Sequence, residues 1–426
     1  MNNKDYFRNK KVTVVGLARS GFACARLLSD LGAQVSVTDN QASDATSLYA
    51  FQLKSKIKNI MIETGLHSCE FITGRDMIVI SPGVPDTALP VTLAKQLEIP
   101  VISEIELASI LCPANIIAVT GSNGKTTVTT LIGKILQANG KKVFVCGNIG
   151  NPFSGELEKM EAGDFVSLEV SSFQLEKIRK FKPKISVILN FTRNHLDRYL
   201  DMEEYLEAKK RIFMNQDESD YLVLNNSDPV VKGLANHTKA KVVYFNETRD
   251  LNSNQAAVLA VASILDISAD TCMEVFREFK GIEHRLEYVA EINNVIFIND
   301  SKSTTVDSTM WAFRNISSPI ILIAGGKHKG VDYGIISDLA RQKAKAVILI
   351  GEAKEKINNV LKGVLPVSEA ATLEEAVQAA FSKARPGDCV LLSPMCSSYD
   401  MFLNYEERGK AFKRAVIDLT SNKYGA

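Results

Sequence analysis

The sequence has no strong charge of either sign. Lysine plus arginine outnumber aspartate plus glutamate by one, a formal net charge of +1. No global field is available to hold nucleic acid or an anionic membrane, so an anionic ligand has to be gripped by local groups. No run of about 18 apolar residues occurs, so no membrane-spanning helix is expected. Residues 1–11 are polar and charged, without the apolar stretch of a secretory signal. The seven cysteines are an odd number and none form a CxxC pair. Most lie in apolar stretches, as buried free thiols do in a reducing compartment. A cytoplasmic protein is expected. Low-complexity tracts and short-period repeats are also missing.

What is present is the composition of a soluble globular protein, with 46% apolar and 23% charged residues. A chain of 426 residues exceeds one ordinary core, so two or three domains are expected. Apolar strand, turn and amphipathic helix recur along it. Strands are expected at 11–15, 35–38, 77–80, 116–120, 142–146, 164–168, 184–190, 295–298, 320–324, 346–350 and 389–392. Helices are expected at 21–31, after Lys125 with Gly140 as its stop, and at 252–265. This alternation predicts an α/β fold with parallel sheets, as three domains in series: 1–103, 104–282 and 283–426. The first and third are expected to be Rossmann-like and the second a P-loop-type ATPase domain. Polar residues follow nearly every strand, and ligands of open α/β sheets bind at the carboxyl ends of strands.

The segment Thr120-Gly121-Ser122-Asn123-Gly124-Lys125-Thr126-Thr127 joins a strand to a helix. Small residues let backbone N–H groups face phosphate oxygens, and the helix N-terminus adds positive potential. Lys125 can reach the β- and γ-phosphates, and the Thr126 hydroxyl can bind magnesium. Val119 stands where a full GxxxxGK[ST] loop has its first glycine, so the loop is a shortened form. Near the N-terminus, Gly16-Leu17-Ala18-Arg19-Ser20-Gly21 is a GxGxxG turn with Ala18 in place of the middle glycine. Asp39 follows where a ribose-binding acid would sit. The Ala18 side chain would crowd a dinucleotide pyrophosphate, which leaves another nucleotide or a purely structural turn.

Three further residues stand out. Glu169 follows a buried strand and offers the hard oxygen that magnesium prefers; the alternative is an acid at a helix start. His195 lies just past another strand among polar residues, although a lone histidine is often structural. Lys209, read on chemistry alone, is part of a basic helix face.

The motifs GSNGKTT (121–127), LEVSSFQLE (168–176), NFTRNHLDRY (190–199) and EAKKRI (207–212) together resemble the Mur ligases, which build the peptide of bacterial cell-wall precursors. NDSKST (299–304), GGKHK (325–329), LSPMCSSYDMF (392–402) and NYEERG (404–409) resemble the branch that adds D-glutamate. Members that add a diamino acid carry a different acceptor motif, missing here. The resemblance spans all three domains in order. It implies ATP-dependent amide formation through an acyl phosphate, with UDP-N-acetylmuramoyl-L-alanine and D-glutamate as substrates and a monomeric enzyme.

The implied roles follow motif by motif. Gly121 to Thr127, Asn254, Arg285 and Asp300 would bind ATP. Thr126 and Glu169 would hold one magnesium. His195 and Lys209 would hold a second, Lys209 as a CO₂-derived carbamate. Gly16, Arg19, Ser20, Gly21, Asp39, Ser81, Pro82, Gly83 and Asn148 would bind the UDP substrate. Lys302, Thr304, Lys329, Ser398 and Tyr405 would hold D-glutamate. Two positions depart from the family pattern: Asn194 replaces the usual Asp before the histidine, and Leu251 replaces an Asn often found near the adenine.

Overall fold

Short aliphatic runs become strands buried on both faces, as in Met77–Ile80 and Ile185–Ile188, where every position is buried. Such runs suit parallel sheets covered by helices on both sides. The computed structural model describes residues 3–192, 198–328 and 330–421. It contains three sheets.

The first sheet is formed by β1 (Lys11–Val15), β2 (Gln34–Asp39), β3 (Met61–Thr64), β4 (Met77–Ile80) and β5 (Val101–Ser103), in the order β3-β2-β1-β4-β5. All its pairs are parallel. The second contains β6 (Asn115–Thr120), β7 (Val143–Gly147), β8 (Phe165–Glu169), β9 (Ile185–Ile188), β10 (Tyr221–Asn225) and β11 (Lys241–Phe245). Its order is β11-β10-β9-β6-β8-β7, again all parallel.

The third sheet has β12 (Glu287–Ile292), β13 (Val295–Asn299), β14 (Ile320–Gly325), β15 (Ala344–Ile350), β16 (Val367–Glu369) and β17 (Cys389–Leu392), in the order β12-β13-β17-β14-β15-β16. β12 departs from the parallel expectation by running antiparallel to β13. Asn293 and Asn294 join the two with φ of 53° and 61°. A two-residue turn with both φ positive matches the twist of a hairpin, and asparagine tolerates it.

The chain divides into two compact units, 1–279 and 280–426. The first unit holds two sheets, and the helix Glu104–Leu111 ties them. Glu104 and Glu106 are both buried. Glu104 Oε1 accepts from the Ser154 N–H at 2.6 Å. Glu106 accepts from the N–H groups of Lys180 and Phe181 at 2.7 and 3.0 Å. Buried carboxylates with backbone donors satisfy otherwise costly groups and hold the two layers in register. Among the described residues, no helix is long and apolar enough to cross a membrane.

Candidate active site

The loop after β6 is held on three sides. Gly124 precedes the helix Lys125–Ala138 with φ of 80°, and a Cβ there would run into the Asn254 side chain. Glycine is therefore required, and Asn254, in the helix Ser253–Ile264, is placed against the loop. Asn190, after β9, reads the loop backbone twice. Its Oδ1 accepts from the Asn123 N–H at 2.8 Å, and its Nδ2 donates to the Asn123 carbonyl at 3.2 Å. The Ser122 hydroxyl accepts from the Thr192 N–H at 3.0 Å and donates to the Thr192 carbonyl at 3.2 Å.

Lys125 and Lys209 converge on one carbonyl. Lys125 Nζ donates to the oxygens of Gly121 and Ser122 at 2.9 and 3.0 Å. Lys209 Nζ donates to the same Gly121 oxygen at 3.1 Å. Lys209 is only 1% exposed, and no carboxylate among the described residues forms an ion pair with it. Its Nζ lies 4.5 Å from the centre of the Tyr205 ring. Tyr205 packs at a tilt against Phe191 and Tyr199, and Phe173 stacks on Tyr199. This aromatic wall removes water. Burial first, and then the nearby Lys125 charge, push the Lys209 amine well below the usual lysine range. The segment stays in place because Arg211 donates to the carbonyls of Leu175 and Ile178 at 2.8 and 2.5 Å.

Glu169 ends β8, beside β6, with Val119 as its register partner. Its side chain is buried. Oε1 accepts from Asn148 Nδ2 at 2.7 Å, while Oε2 is buried without a hydrogen-bond partner among the described residues. An unsatisfied buried carboxylate oxygen is costly unless it faces a cation or donor. Thr126, in the first turn of the helix Lys125–Ala138, is buried as well. This donor set suits a small hard cation.

The turn after β1 is fastened by the strands beside it. The Leu17 N–H donates to Asp39 Oδ2 at 2.5 Å. Ser81, after β4, donates from its N–H to the Val15 carbonyl at 2.9 Å and from Oγ to the Gly16 carbonyl at 3.3 Å. Gly16, Asp39 and Ser81 thus meet at the switch point between β1 and β4, with Arg19 exposed beside them and Pro82 and Gly83 leading away.

In the second unit, the loops after β13, β14 and β17 carry the motif residues. Asp300 is buried; it accepts from Ser393 Oγ at 2.8 Å and from the Leu286 N–H at 3.2 Å. Burial outweighs these bonds and pushes its carboxyl up to about 6. The Arg285 guanidinium lies 5.7 Å from the Trp311 ring centre. The Met395 N–H donates to the Ser303 carbonyl at 3.0 Å, and the Lys327 N–H to the Ser397 carbonyl at 2.8 Å. Lys302, Thr304 and the buried Ser398 are therefore carried by loops that bond to one another. Tyr405 begins the helix Tyr405–Ser421 and packs edge-on to His284.

Three family models match consecutive parts of the chain: the Mur ligase MurD-like N-terminal domain over 10–103, the Mur ligase middle domain over 119–292, and the Mur ligase glutamate ligase domain over 284–396. The chain belongs to the Mur ligase family. Relatives named UDP-N-acetylmuramoylalanine–D-glutamate ligase include one from Geotalea uraniireducens, 42% identical over 96% of this chain and 98% of that one. Another, from Thermoanaerobacter pseudethanolicus, is 40% identical over 97% and 99%. Among solved structures, a UDP-N-acetylmuramate-alanine ligase from Thermotoga maritima aligns with a TM-score of 0.60 at 17% identity, covering 97% of this chain and all of that one. A pseudomurein peptide ligase from Methanothermus fervidus aligns at 0.53 and 20%, covering 96% of this chain and all of that one. These two likenesses concern the fold, a three-domain α/β Mur ligase architecture.

Two residues singled out in the sequence of this Mur ligase, His195 and Lys329, lie outside the described residues, as does Asn194. In the first unit Lys125, Thr126, Glu169, Lys209 and Asn254 all belong to elements meeting at the carboxyl end of the second sheet. Asn190 and Tyr205 escaped the sequence reading. Tyr205 had a usable signal, because it precedes Lys209 by four positions on one helix and such residues share a face. Asn190 had none, since its partner Asn123 is 67 positions away.

Proposed function

We propose that this Mur ligase adds D-glutamate to UDP-N-acetylmuramoyl-L-alanine in the cytoplasm, with ATP converted to ADP and phosphate. The observation that carries the reading is full-length similarity of about 40% to ligases bearing that name, running through all three domains. The buried, cation-seeking site behind the loop Gly121–Thr127 supports it.

A carboxylate is a poor acyl donor because it must expel oxide. Its oxygen attacks the γ-phosphorus of ATP, the bond to ADP breaks, and an acyl phosphate with a good leaving group results. The amine of D-glutamate then attacks the acyl carbon and loses a proton, and phosphate departs. Charge accumulates on phosphoryl and carboxyl oxygens throughout, so fixed cations are the main catalytic requirement. Lys125 and the N–H groups of Gly121 to Thr127 hold the phosphates. Asn254, Arg285 and Asp300 serve the rest of the nucleotide. Magnesium held by Thr126 and Glu169, and a second ion held by His195 and carbamylated Lys209, neutralises phosphoryl charge when bound.

The burial of Lys209 fits it to that modification. A neutral amine attacks the carbon of CO₂, forms an N–C bond and releases one proton, and the side chain becomes an anionic oxygen ligand. Asn148 holds Glu169 in place and lines the path of the UDP substrate. The turn from Gly16 to Gly21, with Asp39 and Ser81 to Gly83, takes the UDP group. Lys302, Thr304, Lys329, Ser398 and Tyr405 take the two carboxylates of D-glutamate. Residues 1–103, 104–282 and 283–426 are the corresponding functional domains, and the enzyme works as a monomer.

ADP release measured with the UDP substrate and D-glutamate, L-alanine or a diamino acid in turn tests the reading. Turnover is expected with D-glutamate alone. ADP formed with L-alanine and not with D-glutamate rejects it.

A further inference from the structure

Arg408 is the largest fully buried side chain among the described residues, 1% exposed in the first turns of the helix Tyr405–Ser421. Among the described residues, no carboxylate lies within ion-pair distance of it. Its partners are instead the loops of the third sheet. Nε donates to Ser301 Oγ at 3.0 Å, and one terminal nitrogen donates to the Ser301 carbonyl at 2.9 Å. The other donates to the Cys396 carbonyl at 3.1 Å. The same nitrogen lies against Gly326, where φ is 134° and an added Cβ would sit 3.2 Å from it.

Ser301, Cys396 and Gly326 follow β13, β17 and β14, three neighbouring strands. Each partner adjoins residues assigned above to D-glutamate: Ser301 precedes Lys302 and Thr304, Cys396 precedes Ser398, and Gly326 precedes Lys329. Ser301 Oγ also donates to the Tyr405 carbonyl at 2.8 Å, which returns the network to the helix that carries Arg408.

Burying a cation without a carboxylate is costly, and an apolar side chain of similar volume would fill the space more cheaply. What the guanidinium supplies is geometry. Its rigid planar fork places several donors at fixed angles, which an ammonium on a flexible stem cannot do. Burial lowers its pKa to about 10, so it remains a cation at neutral pH.

We infer that Arg408 is a positioning residue for the acceptor amino acid: its guanidinium fixes the spacing of the three loops that hold D-glutamate without touching the substrate. This rests on the reading of those loops given under Proposed function. The consequence is a defect confined to one substrate, because misplacing binding groups by about 1 Å can cost up to about 10²-fold.

The test compares wild type with Arg408→Lys and Arg408→Ala, determining KM for D-glutamate, ATP and the UDP substrate separately and folding by circular dichroism and thermal unfolding. Arg408→Lys is expected to raise KM for D-glutamate about tenfold or more, by loss of charged hydrogen bonds, with the other two KM values within about twofold. Guanidinium ion at millimolar concentration is expected to lower the raised KM of Arg408→Ala. An unchanged KM for D-glutamate in a folded variant, or an equal rise in all three KM values, overturns the inference. If both variants fail to fold, Ser301→Ala removes the Nε acceptor together with the hydroxyl's bond to the Tyr405 carbonyl, and leaves the backbone contacts of Arg408. The same selective rise, smaller in size, is expected there, and its absence overturns the inference. Wild type that turns over L-alanine instead of D-glutamate overturns the functional reading separately, and KM for the amino acid it accepts then becomes the readout for Arg408.

Discussion

Two buried cations, one in each unit, have opposite surroundings. Lys209 has one carbonyl and an aromatic ring as partners, with a second lysine nearby. Arg408 has three hydrogen bonds to two loops and rests against a third. Lysine can shed its proton when burial demands it, and arginine in effect cannot. Poor solvation therefore favours the neutral form of Lys209, while Arg408 stays charged and serves as a brace. The lesson extends to Glu169, where one carboxylate oxygen is braced by Asn148 and the other has no partner among the described residues. Of the residues proposed above, Lys209 and Glu169 are underfilled and assigned to ligands, and Arg408 with its three hydrogen bonds is assigned to the scaffold.

Exchanging the roles is the strongest way to break this comparison. Lys209→Arg and Lys209→Ala are both expected to lower kcat by about 10²–10³ or more, since neither can supply a carbamate oxygen to a metal. Full activity in Lys209→Arg would show that charge alone is needed there. Depleting CO₂ from the buffer should slow the wild type, and bicarbonate should restore it. Lys125→Ala is expected to cost about 10²–10³ in kcat, the usual loss of one electrostatic donor, and an unchanged rate in the ADP assay would remove the phosphate role.

Asn148→Ala should act more weakly and through the metal. Loss of an outer hydrogen bond to a ligand typically costs about 10–100-fold in metal affinity, so the magnesium concentration for half-maximal rate should rise by that factor. The selective KM effect of Arg408→Lys is of the same order or smaller. A separate effect, on stability and not on turnover, concerns Asp300, whose pKa in the folded protein is raised to about 6. The folded state holds this proton more tightly than the unfolded state, so the cost of ionisation accumulates as pH rises from about 4 to about 6. Relative to Asp300→Asn, the wild type should lose stability across that window by on the order of 2–3 kcal/mol and then stay level. Denaturant melts at intervals from pH 4 to 7 check it, and a constant difference would place the Asp300 pKa near that of a free carboxyl.

Much of the fold was legible because a strand buried on both faces needs a continuous apolar run. Met77–Ile80, Asn115–Thr120 and Cys389–Leu392 carry such runs. The edge strand Met61–Thr64 carries a weaker one and was not expected; Tyr221–Asn225 and Lys241–Phe245 were not expected either, although both carry apolar runs. Glu287–Ile292 escaped as well, although Asn293-Asn294 is a hairpin signal of recognised type. At the candidate site the strand-end positions of Lys125 and Glu169 could be read from local pattern. The brace between Asn148 and Glu169, 21 positions apart, could not.

The sequence by itself determined the strand–loop–helix alternation, the residue types at each strand end and the family motifs in their order, because these depend on neighbours along the chain. Only the tertiary structure decided what those residues meet. Lys209 is buried against Tyr205, which packs with Phe191 and Tyr199 from other segments, and Arg408 reaches Ser301 across 107 positions. Desolvation and hydrogen-bond geometry are properties of the surroundings of a group. The same lysine on an exposed helix face would be an ordinary cation.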